Sequence, residues 1–315
     1  MQLSELVQHI ARRPRVGVPD SLVGYFKRRS ITFADGRSDR TSNVCWLQSR
    51  GFTIDLRLPR QQSLVSPQPW ARYSAAELRE LANYEGWCAD CVYADGRLTW
   101  RDGVSLQLHN RWSEPADLKR IGNAMIEFAP SGAYVEDWRL QASRPGPLLG
   151  LRLIEERDLA RGGVRQRGGG LIVCGDFAGL VLGRLAPLPH DPLPNGFRDL
   201  VTRAQGSEPR LAELFGFETS LARGSLVDGY TVELSTRVER IGQDLLALDA
   251  FEYSASEDVV MQRCTSGSLD LERVFSIDTA EPCVNYSLAT ESSPAAAAWF
   301  EQERETLERY LEVVS

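Results

Sequence analysis

Val44-Cys45-Trp46-Leu47-Gln48-Ser49-Arg50-Gly51-Phe52-Thr53-Ile54-Asp55-Leu56-Arg57-Leu58 reads as one β-hairpin. Two runs rich in strand-forming residues flank a turn at Arg50-Gly51. Folded about that turn, Gln48 stands opposite Thr53, Trp46 opposite Asp55 and Val44 opposite Arg57. The two-residue period of a strand separates two faces. Trp46, Gln48, Asp55 and Arg57 share one, while Cys45, Leu47, Phe52, Ile54 and Leu56 share the other.

Outward from this hairpin, short alternating segments recur between turn signals such as Asp35-Gly36, Asp95-Gly96, Asp102-Gly103 and Ser131-Gly132. Such punctuation predicts an all-β sandwich or barrel. Further strands are expected near 86–93, 98–101, 105–112, 124–128 and 133–141. Ser74 followed by Glu77 is a capping box and predicts a helix through Ala82. Beyond Arg144-Pro145-Gly146-Pro147 a second strand set begins, interrupted by helical sequence around Phe197–Ala204.

Arg120-Ile121-Gly122-Asn123-Ala124-Met125-Ile126-Glu127-Phe128 is echoed by Arg240-Ile241-Gly242-Gln243-Asp244-Leu245-Leu246-Ala247-Leu248. A repeat at this spacing indicates two similar domains in tandem, since solenoid periods are shorter. Two sets of about eight antiparallel strands suit closed barrels, which have no open edge and can hold a small ligand. The expected organisation is a lead-in at 1–27, a first barrel at 28–143, a degenerate second barrel at 147–290 and a C-terminal helix at 294–313. Ile172-Val173-Cys174-Gly175 and Gly179-Leu180-Val181-Leu182 predict a filled core in the second set.

The first set resembles a known family. Trp46-Leu47-Gln48 with Asp55-Leu56-Arg57-Leu58-Pro59, Asp117 ahead of Gly122, and Tyr134-Val135-Glu136-Asp137-Trp138-Arg139 are similar to motifs of an uncharacterised bacterial family of lipocalin-like barrels. That family is related to two-domain fungal proteins that also lack an established activity. The resemblance covers roughly residues 28–142 and departs at Gln107-Leu108-His109, where the family carries a W-x-R strand. It implies a calycin-type barrel and no particular substrate.

Composition narrows the function. Hydrophobic residues make up 43% and charged residues 25% of the 315-residue chain, enough for a real core. A net charge of −7 argues against a nucleic-acid surface. No apolar run reaches the ~20 residues of a membrane span, so a soluble, cytoplasmic protein with no membrane partner is expected. The six cysteines are scattered, and Cys88-Ala89-Asp90-Cys91 lacks a second pair of ligands for zinc. The glycine-rich stretch 161–170 continues into a strand rather than the helix a phosphate loop requires. With only His9, His109 and His190, no histidine-rich metal site forms, and no cofactor is implied.

One face remains as the candidate site. It comprises Trp46, Gln48, Asp55 and Arg57, with Tyr134, Glu136 and Trp138 on one further strand and Gln107, His109 and Arg111 on another. Turned inward, these residues form a polar and aromatic pocket for a small amphipathic or anionic molecule, with Arg57 meeting an anionic group. Turned outward, they leave filled barrels, and the chain is an interaction or scaffold protein. An enzyme using Glu136 and His109 as acid and base is the third reading. Binding is preferred over catalysis, and the sequence leaves the oligomeric state open.

Overall fold

Strands β3 (Asn43–Gln48) and β4 (Phe52–Leu58) form the hairpin in the expected register, with Val44 opposite Arg57, Trp46 opposite Asp55 and Gln48 opposite Thr53. The structure is a computed structural model that describes residues 1–108, 114–188, 193–286, 298 and 301–308. The hairpin belongs to an antiparallel sheet that continues through β5 (Glu85–Ala94), β6 (Arg97–Ser105), β7 (Ala116–Ile121), β8 (Ala124–Phe128) and β9 (Tyr134–Leu140). Strand β1 (Gly24–Phe33) lies beside β3 and also pairs with β9 from Phe26–Leu140 to Phe33–Tyr134, closing an eight-stranded barrel. The short β2 (Ser38–Asp39) hangs from β1. The start of β1 falls within the expected lead-in, because Lys27-Arg28-Arg29 breaks the apolar alternation that marks a strand.

The barrel's narrowest seam joins β6 and β7 through only Arg97–Asp117 and Leu98–Ala116. The strand expected over 105–112 does not continue at Leu106–Leu108, which form bends although Leu106 N–H still donates to Gly86 O, and the rest of it from His109 lies outside the described residues. Between β4 and β5, helix α2 (Ala75–Leu81) begins at the predicted capping box: Ser74 Oγ accepts from Glu77 N–H, and a Glu77 carboxylate oxygen accepts from Ser74 N–H.

In the second half the sheet does not close among the described residues, so the expected second barrel is not seen there. Its central strand β10 (Gly146–Asp158) pairs with β11 (Val164–Arg167), β12 (Gly169–Cys174) and β18 (Leu269–Val284). From β12 the sheet runs through β13 (Phe177–Leu182), β14 (Glu218–Ser225) and β15 (Gly229–Ser235). From β18 it runs through β17 (Val259–Ser266) to β16 (Phe251–Ser254). Helices α3 (Phe197–Arg203) and α4 (Glu208–Leu214) lie between β13 and β14. A last described helix, α5, covers Arg304–Glu308 within the expected C-terminal helix.

The gap lies between β15 and β16. Residues 241–250 cross it as turns and bends, with a single bridge at Thr231–Asp244 and backbone bonds to β15 from Gly242 N–H to Val232 O, Val232 N–H to Gln243 O and Leu245 N–H to Tyr230 O. The N-terminus occupies backbone groups there that a closing strand would use. Leu3 N–H donates to Leu248 O, and Phe251 N–H donates to Met1 O. Helix α1 (Leu3–His9) then buries Leu3, Leu6 and Val7 among Leu149, Leu151, Val173, Leu180 and Phe275. The second half therefore has an apolar core of its own, mostly aliphatic.

The sequence echo does not mark equivalent positions. Its first copy forms the β7–β8 hairpin, whereas its second lies in the turns between β15 and β16. The correspondence between the halves is topological instead. β1 with its β2 appendage, β3, β4, a helix, β5 and β6 are matched in order by β10 with β11, β12, β13, two helices, β14 and β15.

The outer face of the β3–β4 hairpin is buried against the second sheet. Leu47, Ile54 and Leu56 share one apolar cluster with Ile172, Val181 and Leu221. A Cβ on Gly179 would stand 2.9 Å from Leu221 and 3.1 Å from Leu47, so the approach depends on glycine. The hairpin turn is locked by charge. Arg50 binds Glu281 through Nε–Oε1 at 2.7 Å and Nη2–Oε2 at 2.9 Å, and meets Asp20 at 2.7 Å. Asp278 accepts from Ser49 Oγ at 2.6 Å and Gly51 N–H at 3.0 Å, and pairs with Arg152 at 2.6 Å.

Arg50→Ala leaves Glu281 without its buried counter-ion and is expected to cost about 3–5 kcal/mol in urea denaturation. Arg50→Lys keeps the charge but loses the fork, and should fall between. A change below about 1 kcal/mol for Arg50→Ala, the size of an exposed pair, would remove this clasp from the account.

Candidate functional site in the first barrel

With the aliphatic face of β3–β4 committed to the second sheet, the opposite face lies inside the barrel. Contacts between strands that are not neighbours show this: Trp46 on β3 meets Trp100 on β6 at 6.0 Å between ring centroids and Trp138 on β9 at 5.5 Å. Trp100 in turn meets Trp87 of β5 at 5.8 Å. A line of indoles therefore crosses the interior.

Gln48 is fully engaged. Its Oε1 accepts from Trp46 Nε1 at 2.9 Å and Thr53 Oγ1 at 2.6 Å, while Nε2 donates to Ser49 O at 2.8 Å and Phe52 O at 3.2 Å. Its amide sets the tryptophan and the turn rather than presenting free groups. Gln107 is held by bonds from Nε2 to Ala82 O at 3.0 Å and Tyr84 O at 2.6 Å, away from the other candidates. His109 and Arg111 lie outside the described residues.

The charged groups gather at one mouth. Arg57 Nε donates to Asp55 Oδ1 at 2.9 Å, and Arg57 Nη1 lies 3.7 Å from Glu136 Oε1. Arg28 of β1 donates to the same Glu136 oxygen at 2.7 Å and to Asp39 at 2.8 Å. Beside Glu136 on the neighbouring strand stands Glu127. It accepts from Trp138 Nε1 at 3.0 Å and from Tyr134 OH at 3.4 Å. A cavity of about 270 Å³ opens here, lined by Arg28, Arg57, Asp39, Asn83, Glu85 and Pro59 among others.

Burial raises the pKa of Asp55 against the pull of Arg57. Burial opposes the Arg57 cation too, but Asp55 and Glu136 together hold its pKa above the ordinary value. Glu127 is pushed well above the usual carboxyl range by burial first and by the Glu136 charge second. A guanidinium, two acids beside it and a third acid whose pKa burial raises are thus brought to one end of the barrel. Such a set can donate and accept hydrogen bonds with a polar ligand.

Trp46, Gln48, Asp55, Arg57, Tyr134, Glu136 and Trp138 are therefore brought together, while Gln107 is not. Glu127 and Arg28 escaped the sequence reading. Arg28 was hidden in a basic run. Glu127 was accessible from hairpin counting, since the turn at Ser131-Gly132 sets it opposite Glu136.

The Cys88–Cys91 pair gives neither a disulfide nor a reactive thiolate. Both are free thiols, burial raises both pKa values, Cys91 to about 12, and Cys91 Sγ accepts from Gln48 Nε2 at 3.1 Å. Among the described residues no group of three His, Cys, Asp or Glu side chains is placed to hold a metal. No described helix is long and apolar enough to cross a membrane.

Arg57→Ala would strand Asp55 and is expected to destabilise the chain by about 3–5 kcal/mol, whereas Arg57→Lys should retain the fold. Equal denaturation midpoints for Arg57→Ala and the parent chain would contradict this. For Glu127 the sign follows from its raised folded-state pKa. Its contribution is fully present below the ordinary carboxyl value of 4.5 and is lost as pH rises through the folded value. Glu127→Gln mimics the protonated acid. Its stability relative to the parent should grow as pH rises above 4.5 and converge in acid. Urea midpoints across that range would show a constant difference if Glu127 were solvated.

No family model, curated protein or solved structure matches this chain.

Proposed function

We propose that this protein binds a small polar or amphipathic molecule at the mouth of its first barrel, in the manner of a lipocalin-like carrier. The carrying observation is an inverted strand pattern. On β8 and β9, Glu127 and Glu136 are 3% and 1% exposed, while their neighbours Phe128 and Val135 are 43% and 38% exposed. A barrel built for stability alone would turn the phenylalanine and valine inward, because burying charge costs free energy and burying hydrocarbon gains it. Departures of this kind cluster where function constrains the sequence.

In this reading Arg57 is the anchor for the ligand's acceptor group, with Asp55 and Glu136 holding the guanidinium plane. Ile31, Phe33, Val44 and Leu58 supply the apolar lining of the cavity, with Trp46 and Trp138 packed in the barrel interior. The second sheet supports the barrel and binds nothing in its filled core. The shared strand order of the halves supports a duplicated plan in which only the first copy retained an open mouth. The lipocalin-like resemblance of residues 28–142 agrees with that assignment.

Titration calorimetry with a panel of small carboxylates, phosphates and carbonyl compounds tests the reading. A ligand that binds the parent chain should bind Arg57→Lys about tenfold more weakly, with the fold retained. Equal affinity for the two would remove Arg57 as the anchor, and a panel without any binder would count against the mouth as a site.

An acid–base enzyme is the second reading, favoured by the raised pKa of Glu127. It assigns the acid to Glu127, with Glu136 opposite as the base. Turnover of a bound ligand that disappears in Glu127→Gln without loss of binding would select it.

A further inference from the structure

A larger cleft, of about 630 Å³, lies where the first barrel meets the second sheet. It shares no lining residue with the Arg57 cavity. Trp87, Trp100, Val104, Leu108 and Phe217 supply apolar walls. Against this wall stands a cation with no acid partner. Arg184 donates to the carbonyl oxygens of Ser105, Leu106 and Leu214 at 2.8, 2.7 and 2.8 Å, and lies over the Phe197 and Phe217 rings at 5.3 and 5.4 Å. Among the described residues no carboxylate pairs with it. Arg101 adds a second positive charge at the exposed rim.

A separate observation points the same way. Trp87 lines the cleft, is only 5% exposed, and buries its Nε1 with no acceptor among the described residues. A buried donor without an acceptor is costly, and a ligand oxygen is one way to satisfy it. The burial that disfavours the Arg184 cation, lowering its pKa to about 10, would likewise be relieved by an anion.

We infer that this cleft is a second binding site, for an amphipathic monoanion whose apolar body lies against Trp87, Trp100 and Phe217 and whose acid group faces Arg184 and Arg101. The apolar walls set the body, the guanidinium that no described carboxylate pairs with sets the charge, and the Trp87 indole N–H takes an acceptor oxygen. Aromatic and aliphatic acids share this chemistry.

Fluorescence titration of the full chain with 1-anilinonaphthalene-8-sulfonate tests the site, with dodecanoate and 1-naphthoate as competitors. The expected result is one saturable site, displaced by at least one competitor, and the stronger competitor identifies the body as aliphatic or aromatic. Arg101→Glu, at an exposed position, should weaken binding about tenfold. Trp87→Phe, which keeps a ring but removes the donor, should weaken it about fivefold with the folded circular dichroism spectrum retained. Arg57→Lys should leave it unchanged, so a failure here is separable from a failure at the barrel mouth. Absent or non-saturating binding would overturn the proposal. So would binding insensitive to both Arg101→Glu and Trp87→Phe, or binding lost in Arg57→Lys.

Discussion

Burial of both faces of the β3–β4 hairpin is the constraint on which the rest of this structure depends. An antiparallel sheet ordinarily shows one face to water, and alternation then sorts apolar from polar residues. Here Leu47, Ile54 and Leu56 are spent on the contact with the second sheet. The other face must line the barrel, and it carries Trp46, Gln48, Asp55 and Arg57. The polar interior follows from which face docks. The clasp of Arg50 with Glu281 and of Asp278 with Ser49 and Gly51 fixes that choice, because a one-residue slip would turn every side chain over.

Inside the barrel the consequence is electrostatic. Trp46 and Trp138 are buried against each other in the middle, so the charged groups at the mouth are partly desolvated and pair with one another. Arg57 keeps Asp55, Arg28 keeps Glu136, and burial raises the pKa of Glu127. Such ion pairs often add little net stability, since desolvation offsets attraction. They stand in a molecule that already has two large apolar clusters, and the proposed ligand would give them a role beyond stability. The second sheet shows the contrast: its own cluster is apolar and takes in Leu3, Leu6 and Val7 of α1.

The hairpin register, the capped helix and the sharing of a face by Trp46, Asp55 and Arg57 were legible in the sequence because each rests on local rules: a two-residue period, a turn position, a cap. Lys27-Arg28-Arg29 concealed β1, because the strand's inward residue there is itself an arginine, matched to Glu136 only after the barrel closes. Glu127, by contrast, was within reach of the same local rules, since the turn at Ser131-Gly132 sets it opposite Glu136. The open second sheet was illegible for a different reason. Nothing in residues 241–250 announces that the N-terminal segment, some 240 residues earlier, will take their backbone bonds. The echo at Arg240–Leu248 was local similarity without a shared place in the fold.

The central claim is that the charged mouth of the first barrel is kept for a ligand rather than for stability. Native mass spectrometry of the full chain, isolated without denaturation and set beside the double variant Asp55→Leu/Arg57→Met, tests it most directly. The account predicts a parent chain carrying a non-covalent small-molecule mass, and a folded double variant at the bare polypeptide mass. The same adduct on both chains, or the bare mass for both, would contradict it.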